Sequence, residues 1–189
     1  MSKLIYITNM SLDGYIEDEN GAIDWDDPEQ ILPLVIELLQ PVGTYLYGRR
    51  LYEKMAYWDA PVEGYPPEFR NFARLWQQPE KIVFSRTLTG ATTRNTRVER
   101  DFDPAAIRKL KLESERDITI GGAELAGLAF EADLVDECHL LLHPKIFGGG
   151  KPAFRAALRR DLEPIETRRV GTGVIHLHYR VQKKHRSIG

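Results

Sequence analysis

The sequence predicts an α/β fold: a mostly parallel central sheet, helices on both faces, and antiparallel strands at the C-terminal end. Three observations carry that prediction. Runs rich in β-branched and aromatic residues alternate with runs of helical length through most of the chain. The last two strand-like runs, "LEPIETRRV" and "VIHLHYRVQ", follow one another across the turn "GTG", which places them antiparallel at a sheet edge. No repeat, linker or low-complexity segment interrupts the 189 residues, so residues 1–189 are expected to form a single domain.

Each element has its own signature. "KLIYITN" (3–9) reads as a buried strand because of its isoleucines and tyrosine. "MSLDGYIEDENGAIDWDD" is rich in Asp, Asn and Gly and reads as a long loop with a short extended piece, a length that is uncommon without a function. Tyr15, Ile16 and Trp25 within it argue against disorder. "PEQILPLVIELLQ" reads as a helix with Asp27 as N-cap and Pro28 in the first position. Its apolar residues cover most of its circumference, so it should be well buried. "GTYLYG" is then a strand, "RRLYEKMAYW" and "PPEFRNFARLWQQ" are helices, and "KIVFS" and "NTRVER" are strands. "DPAAIRKLKLES" is a helix capped by Asp103, followed by the strand "DITIG" and the helix "GAELAGLAFEA". "VDECHLLLHPKIF" is a strand that runs into the loop "GGGKPAF" before the two final strands.

Composition removes several classes of function. A formal net charge of -2 gives no electrostatic footprint for nucleic acid. One cysteine, Cys138, excludes an internal disulfide framework and suits a reducing compartment. Its alternation with Leu140 and Leu142 marks it as core. No apolar stretch approaches the ~20 residues that span a bilayer, and "MSK" leads straight into a strand with no secretory h-region. The expectation is a cytoplasmic protein with a small-molecule ligand, and no nucleic-acid or membrane partner.

In open α/β sheets, ligands bind beyond the carboxyl ends of the parallel strands. Here those ends are Thr8-Asn9, Gly48-Arg49-Arg50, Ser85-Arg86 and Gly121-Gly122. Arg49 and Arg50 put two cations in the first turn of a helix, where the dipole disfavours them by a few tenths of a kcal/mol each. A bound phosphate would reverse that sign; side chains bent into solvent would also explain it. Ser85-Arg86 is either an ordinary loop start or a ligand contact. Gly121-Gly122 is either a tight corner or a close approach of backbone to a ligand. The coincidence of these ends at one sheet edge favours an anionic ligand with several phosphates, a dinucleotide.

For proton chemistry the candidates are the acids of "WDDPEQ". Asp27 reads first as an N-cap and Glu29 as a partner of the helix dipole. A carboxyl facing an apolar pocket there would have a raised pKa and could donate a proton. Asp27 and Glu29 are therefore the catalytic candidates, with Trp25 and Asp26 on the substrate side. His139 and His143 share a strand face, as do His176 and His178, but no Cys or Glu is evident to complete a ligand set, so no metal is expected.

The ordered motifs "SLDGYI", "YGRRLYE", "VFSR", "TIGGAEL" and "HPKIFGGGKPAF" resemble the dihydrofolate reductase-like superfamily. More closely they resemble the riboflavin-biosynthesis reductase (RibD C-terminal) domain and its free-standing bacterial members. The likeness runs from about residue 3 to 182. It implies an NADPH site. Gly48, Arg49, Arg50 and Leu51 match the motif that holds the cofactor phosphates, and Ser85 and Arg86 the segment beside the adenosine 2′-phosphate. Gly121 and Gly122 match the paired glycines at the pyrophosphate, a peptide that is cis in dihydrofolate reductases, with Ala123, Glu124 and Leu125 following in the helix. Thr8 and Asn9 match the strand end beside the carboxamide, and Ile16 belongs to the covering loop, which would close around residues 14 to 26. Of the superfamily's W-x-x-P-x-D, Trp25 and Pro28 match while Gln30 stands where the acid would be. The resemblance implies hydride transfer to a small heterocyclic or sugar-derived substrate, as in 5-amino-6-(5-phosphoribosylamino)uracil reductase, by a homodimer. Dihydrofolate reductase and a non-catalytic dinucleotide-binding module are the alternatives.

Overall fold

The computed structural model describes residues 1–23, 25 and 28–183. In chain order the elements are β1 (Leu4–Ser11), β2 (Tyr15–Glu17), α1 (Pro28–Leu39), β3 (Val42–Gly48), α2 (Arg49–Met55) and α3 (Pro67–Gln77). There follow β4 (Glu80–Phe84), β5 (Thr96–Glu99), α4 (Pro104–Glu113), β6 (Asp117–Gly121) and α5 (Ala123–Glu131). The chain ends in β7 (Glu137–His143), β8 (Lys151–Pro152), β9 (Leu162–Val170) and β10 (Val174–Val181). Eight of the strands form one sheet in the order β5-β4-β3-β6-β1-β7-β10-β9, and β2 pairs with β8 apart from it. Strands β5 through β7 in that order are parallel, while β10 runs antiparallel to β7 and β9 antiparallel to β10.

The alternation of side chains decides the layering. Tyr45 and Tyr47 of β3 and Val83 of β4 face α1 and α3, meeting Leu32, Leu39, Phe72 and Trp76. Trp76 is fully buried and donates its indole N–H to the Tyr47 hydroxyl at 3.1 Å, so its one polar atom is satisfied. Leu4, Tyr6, Leu46, Ile82, Ile118, Ile120 and Cys138 face the other way, onto Ile107 of α4 and Leu125, Ala129 and Phe130 of α5. Both faces of the central strands are covered, as a parallel sheet requires. Cys138 is core, and burial pushes its thiol up to about 12.

Local chemistry sets the ends. Asp103 caps α4 by accepting the Ala105 N–H at 2.8 Å, as the sequence predicts. The helix expected from Arg49 to Trp58 stops at Met55 and tightens into a 3₁₀ turn over Ala56–Asp59. Pro33 sits inside α1 on its exposed side, where water can reach the carbonyl deprived of its hydrogen bond. Two lysines are buried, each against fixed acceptors. Lys111 donates to Leu134 O at 2.7 Å and to the Asp136 carboxylate at 2.5 Å. Asp136 also accepts Leu4 N and Lys183 Nζ, which ties the starts of β1 and β7 to the end of α4. Lys81 lies over the Trp76 ring, 4.4 Å from its centroid, and donates to Gln77 O and Pro79 O.

β9 is the sheet's long edge. Pro164 sits within it, and the pairing with β10 shifts register between His178 and Tyr179. Among the described residues, no helix is long and apolar enough to cross a membrane.

Candidate functional site

The four parallel strands β4, β3, β6 and β1 reach one edge together: Gly48 is level with Phe84, Tyr47 with Gly121, and Tyr6 with Ile120. A cleft of about 1120 Å³ opens beyond that edge. That is slightly more than the ~300–1,000 Å³ of most small-molecule pockets, so it admits an extended ligand. Of the residues singled out from sequence, Thr8, Asn9, Ile16, Trp25, Gly48, Arg49, Arg50, Leu51, Gly122, Glu124 and Leu125 line it. β1 itself continues past Asn9 to Ser11, carried on by pairing with β7.

Gly48 has nothing within 4 Å of where a Cβ would stand. Gly122 has φ +91°, a conformation side chains rarely adopt, and the nearest atom to its absent Cβ is Gly48 N at 4.0 Å. Two bare stretches of backbone therefore face each other across the cleft at the starts of α2 and α5. Arg49 touches Glu53 only at 3.6 Å. Arg50 is exposed and makes no ion pair or hydrogen bond among the described residues. Arg49 and Arg50 are therefore open to an anion at the start of α2, while Glu17, Asp18, Glu19 and Glu124 line other parts of the cleft.

The covering loop is held from two sides. Ser11 Oγ donates to Asp13 at 2.6 Å, and the same carboxylate accepts Phe147 N at 3.1 Å and Gly148 N at 2.8 Å. These bonds, the Ser11 hydroxyl first, hold the Asp13 carboxyl below its usual range. The segments "SLDGYI" and "HPKIFGGGKPAF" thus meet in space. Gly150, at φ +120°, lies so close to Glu17 O that a Cβ would stand 2.1 Å from it, which lets β8 pair with β2. Lys54 of α2 closes the rim by bonding Glu17 at 3.1 Å. Trp25 stacks on His143 (centroids 4.4 Å apart) and on Phe147 (5.2 Å). His143 is buried, and its Nε2 lies 2.9 Å from Asn9 Oδ1. His143, Lys54 and Lys151 belong to this region although the sequence reading did not place them there. A signal for Lys151 was present, in the "GGGKPAF" motif.

Several of the residues singled out from sequence do not line the cleft. Ser85 does not reach the cleft; it is buried, and its Oγ accepts the N–H of Thr87 and Leu88 to close the turn after β4. Arg86 points outward and pairs with Asp101, its Nε 2.7 Å from the carboxylate. Gly121 is a packing glycine: a Cβ would stand 2.3 Å from Leu51 Cδ2. Ala123 is buried beneath the start of α5. No peptide among the described residues is cis, Gly121–Gly122 included. Glu29 is exposed in the first turn of α1 rather than facing an apolar pocket. Gln30 accepts Thr172 N at 2.7 Å and Thr172 Oγ1 at 3.0 Å, tying α1 to the β9–β10 turn. Asp26 and Asp27 lie outside the described residues. The absence of a glutamate beside the histidines is also corrected, since Glu137 lies against His178 at 3.1 Å.

Fold and site together define an α/β protein with a cleft at the ends of its parallel strands. The chain belongs to the RibD C-terminal domain family, whose model matches residues 2–176. It is 31% identical over 181 residues to the uncharacterized protein YyaP of Bacillus subtilis (strain 168), with 94% of each chain covered. In structure it is similar to a Shewanella sp. PV-4 protein named for riboflavin biosynthesis, at TM-score 0.76 and 21% identity, covering 96% of this chain and 99% of that one. It is also similar to a Thermotoga maritima diaminohydroxyphosphoribosylaminopyrimidine deaminase/5-amino-6-(5-phosphoribosylamino)uracil reductase. There the TM-score is 0.68 at 14% identity, over 96% of this chain and 57% of that one.

Proposed function

We propose that the chain is an NADPH-dependent reductase acting on a small heterocyclic or sugar-derived substrate, in the manner of 5-amino-6-(5-phosphoribosylamino)uracil reductase. The observation that carries this reading is the facing pair of bare backbone stretches, Gly48 and Gly122, flanked by Arg49 and by Arg50, which has no partner among the described residues. A pyrophosphate fits that combination: a side chain on either glycine would occupy its space, and helix-start N–H groups and guanidiniums both bind it. When bound, the nicotinamide would supply hydride to a C=N or C=O carbon.

The chain's own residues bind, orient and exclude water. Thr8 and Asn9 line the cleft from within β1, where a carboxamide would hydrogen-bond, and the Asn9 side chain is oriented by His143. The loop carrying Ile16 and Ile23 forms one wall, and its closure would shut out solvent. With Glu29 turned away, the proton is assigned to Asp27 or to a water admitted beside Trp25. The 2′-phosphate contact is given to Arg49 and Arg50, which line the cleft as Arg86 does not. A cytoplasmic homodimer is part of this reading.

NADPH-dependent thermal shift tests binding, since saturating ligand stabilises by RT ln(1 + [L]/Kd). A shift with NADPH that exceeds the NADH shift and shrinks in Arg50→Ala supports the assignment; equal shifts with both nucleotides refute it. NADPH oxidation with the ribosylaminopyrimidine and with dihydrofolate then tests turnover. Binding without either reaction would leave a dinucleotide-binding module.

A further inference from the structure

A second group of ionisable side chains lies away from the cleft, on the sheet face that α1 covers. His139 of β7 and His178 of β10 are direct cross-strand partners, and Glu137 precedes His139 by two residues on the same face. One ligand atom from each of Glu137, His139 and His178 lies within 4.8 Å of the other two. The two imidazoles stack with centroids 3.9 Å apart. His178 Nε2 is 3.1 Å from Glu137 Oε2, and His139 Nδ1 is 2.9 Å from His176 Nε2. His176 is held in turn by Arg168, whose guanidinium also bonds Glu37 of α1 at 2.9 Å.

We propose that Glu137, His139 and His178 form an open three-ligand site for a divalent cation of the zinc class, with water in the fourth position. Two imidazoles and one carboxylate make the donor set of open zinc sites, and nitrogen donors select Zn²⁺, Co²⁺ or Ni²⁺ over Mg²⁺ and Ca²⁺. Arg168 donates to His176 Nδ1, so His176 Nε2 donates to His139 Nδ1; ligation through His139 Nε2 reverses that bond, with His176 turning from Arg168, which keeps Glu37. All three donors stand on paired strands, so little backbone ordering remains to oppose binding. A surface cleft of about 530 Å³, lined by Lys3, Glu137 and Arg180 among others, reaches the Glu137 member of the group. Lys3, half exposed and 2.8 Å from Glu137, is the cation that the metal would displace. The stacked rings must splay for both nitrogens to converge, a side-chain rotation that leaves the strands in place.

The experiment is Co²⁺ titration of chelator-stripped protein, read by visible absorption and calorimetric stoichiometry, with Zn²⁺ and Mg²⁺ thermal shifts alongside. One Co²⁺ per chain with the intense bands of a four-coordinate site is expected. Zn²⁺ should displace it and raise Tm, whereas Mg²⁺ should do neither. His178→Gln and Glu137→Gln, each checked for folding by circular dichroism, should each weaken Co²⁺ at least tenfold. No binding by the parent protein, the weak bands of an octahedral ion, or unchanged affinity in both variants would overturn the site. These readouts do not involve nucleotide, so they stand whatever the cleft binds.

Discussion

Gly121→Ala turns the packing of the cleft floor into a sign test. The added methyl would stand 2.3 Å from Leu51 Cδ2 and 3.4 Å from the Tyr47 ring. Carbon atoms rest about 3.5–4.0 Å apart, so Leu51 must withdraw by more than an ångström, and Leu51 lines the cleft. Overpacking of this kind costs about 1–3 kcal/mol. Leu51 borders the open cleft and can yield into it, so a loss of about 1 kcal/mol is expected, together with weaker NADPH binding. Gly121 does not have the positive φ of Gly122. Once the clash is removed, alanine should therefore help, by about 0.4–1 kcal/mol through the unfolded chain. Urea unfolding of the four-member cycle with Leu51→Ala measures this. In the Leu51→Ala background, Gly121→Ala should be neutral or stabilising. Gly122→Ala, strained at φ +91°, should cost about 1–3 kcal/mol in both backgrounds. Equal, additive losses from Gly121→Ala in the two backgrounds would refute the contact with Leu51 as the reason for this glycine.

Three further outcomes follow from buried charge and from Trp25. Burial pushes the Lys81 ammonium down to about 8. The unfolded chain therefore holds a proton that the fold has lost between about pH 8 and the ordinary lysine value, and stability should rise with pH across that window. Lys81→Met should flatten that rise in pH-dependent urea unfolding. Lys111→Met leaves the Asp136 carboxylate with Leu4 N–H and Lys183, at a cost of about 3 kcal/mol near neutral pH. Burial opposes ionisation of Asp136, but Lys111, Leu4 N–H and Lys183 outweigh it and hold its pKa below the usual range. The pair's contribution is thus present above the ordinary carboxylate range and fades as pH falls through the folded value, where parent and Lys111→Met denaturation midpoints should converge. Trp25 lines the cleft while Trp58 and Trp76 pack in the core beside α3. Trp25→Phe should therefore remove most of the tryptophan quenching that NADPH produces in a fluorescence titration.

Much of the architecture was legible because apolar periodicity and caps are local. The runs "TYLY" and "ITI" read as central strands and are buried as such, and Asp103 read as a cap two residues from the N–H it accepts. The site was legible where it depends on strand ends, since any parallel sheet brings those to one edge. It was illegible where a partner far along the chain decides the role. Gly121 owes its lack of a side chain to Leu51, and Arg86 is claimed by Asp101. Glu137 meets His178 only because the β7–β10 register sets it diagonally across from that imidazole. Glu29 looked like a candidate acid because sequence gives the helix but not its rotation about its own axis.

The two outer strands carry a lesson about crowding. An exposed strand edge is a template on which a second chain can lay down a strand. Here one edge, β5, is four residues long and carries Arg97 and Glu99. The other, β9, interposes Pro164, a register break and the charged Glu163, Glu166, Arg168 and Arg169. Neither border offers a long, flat ladder of unpaired N–H and C=O groups. Copies of this chain that associate must therefore meet through side chains on their faces rather than by extending the sheet. That guards the chain against runaway fibre growth at high concentration.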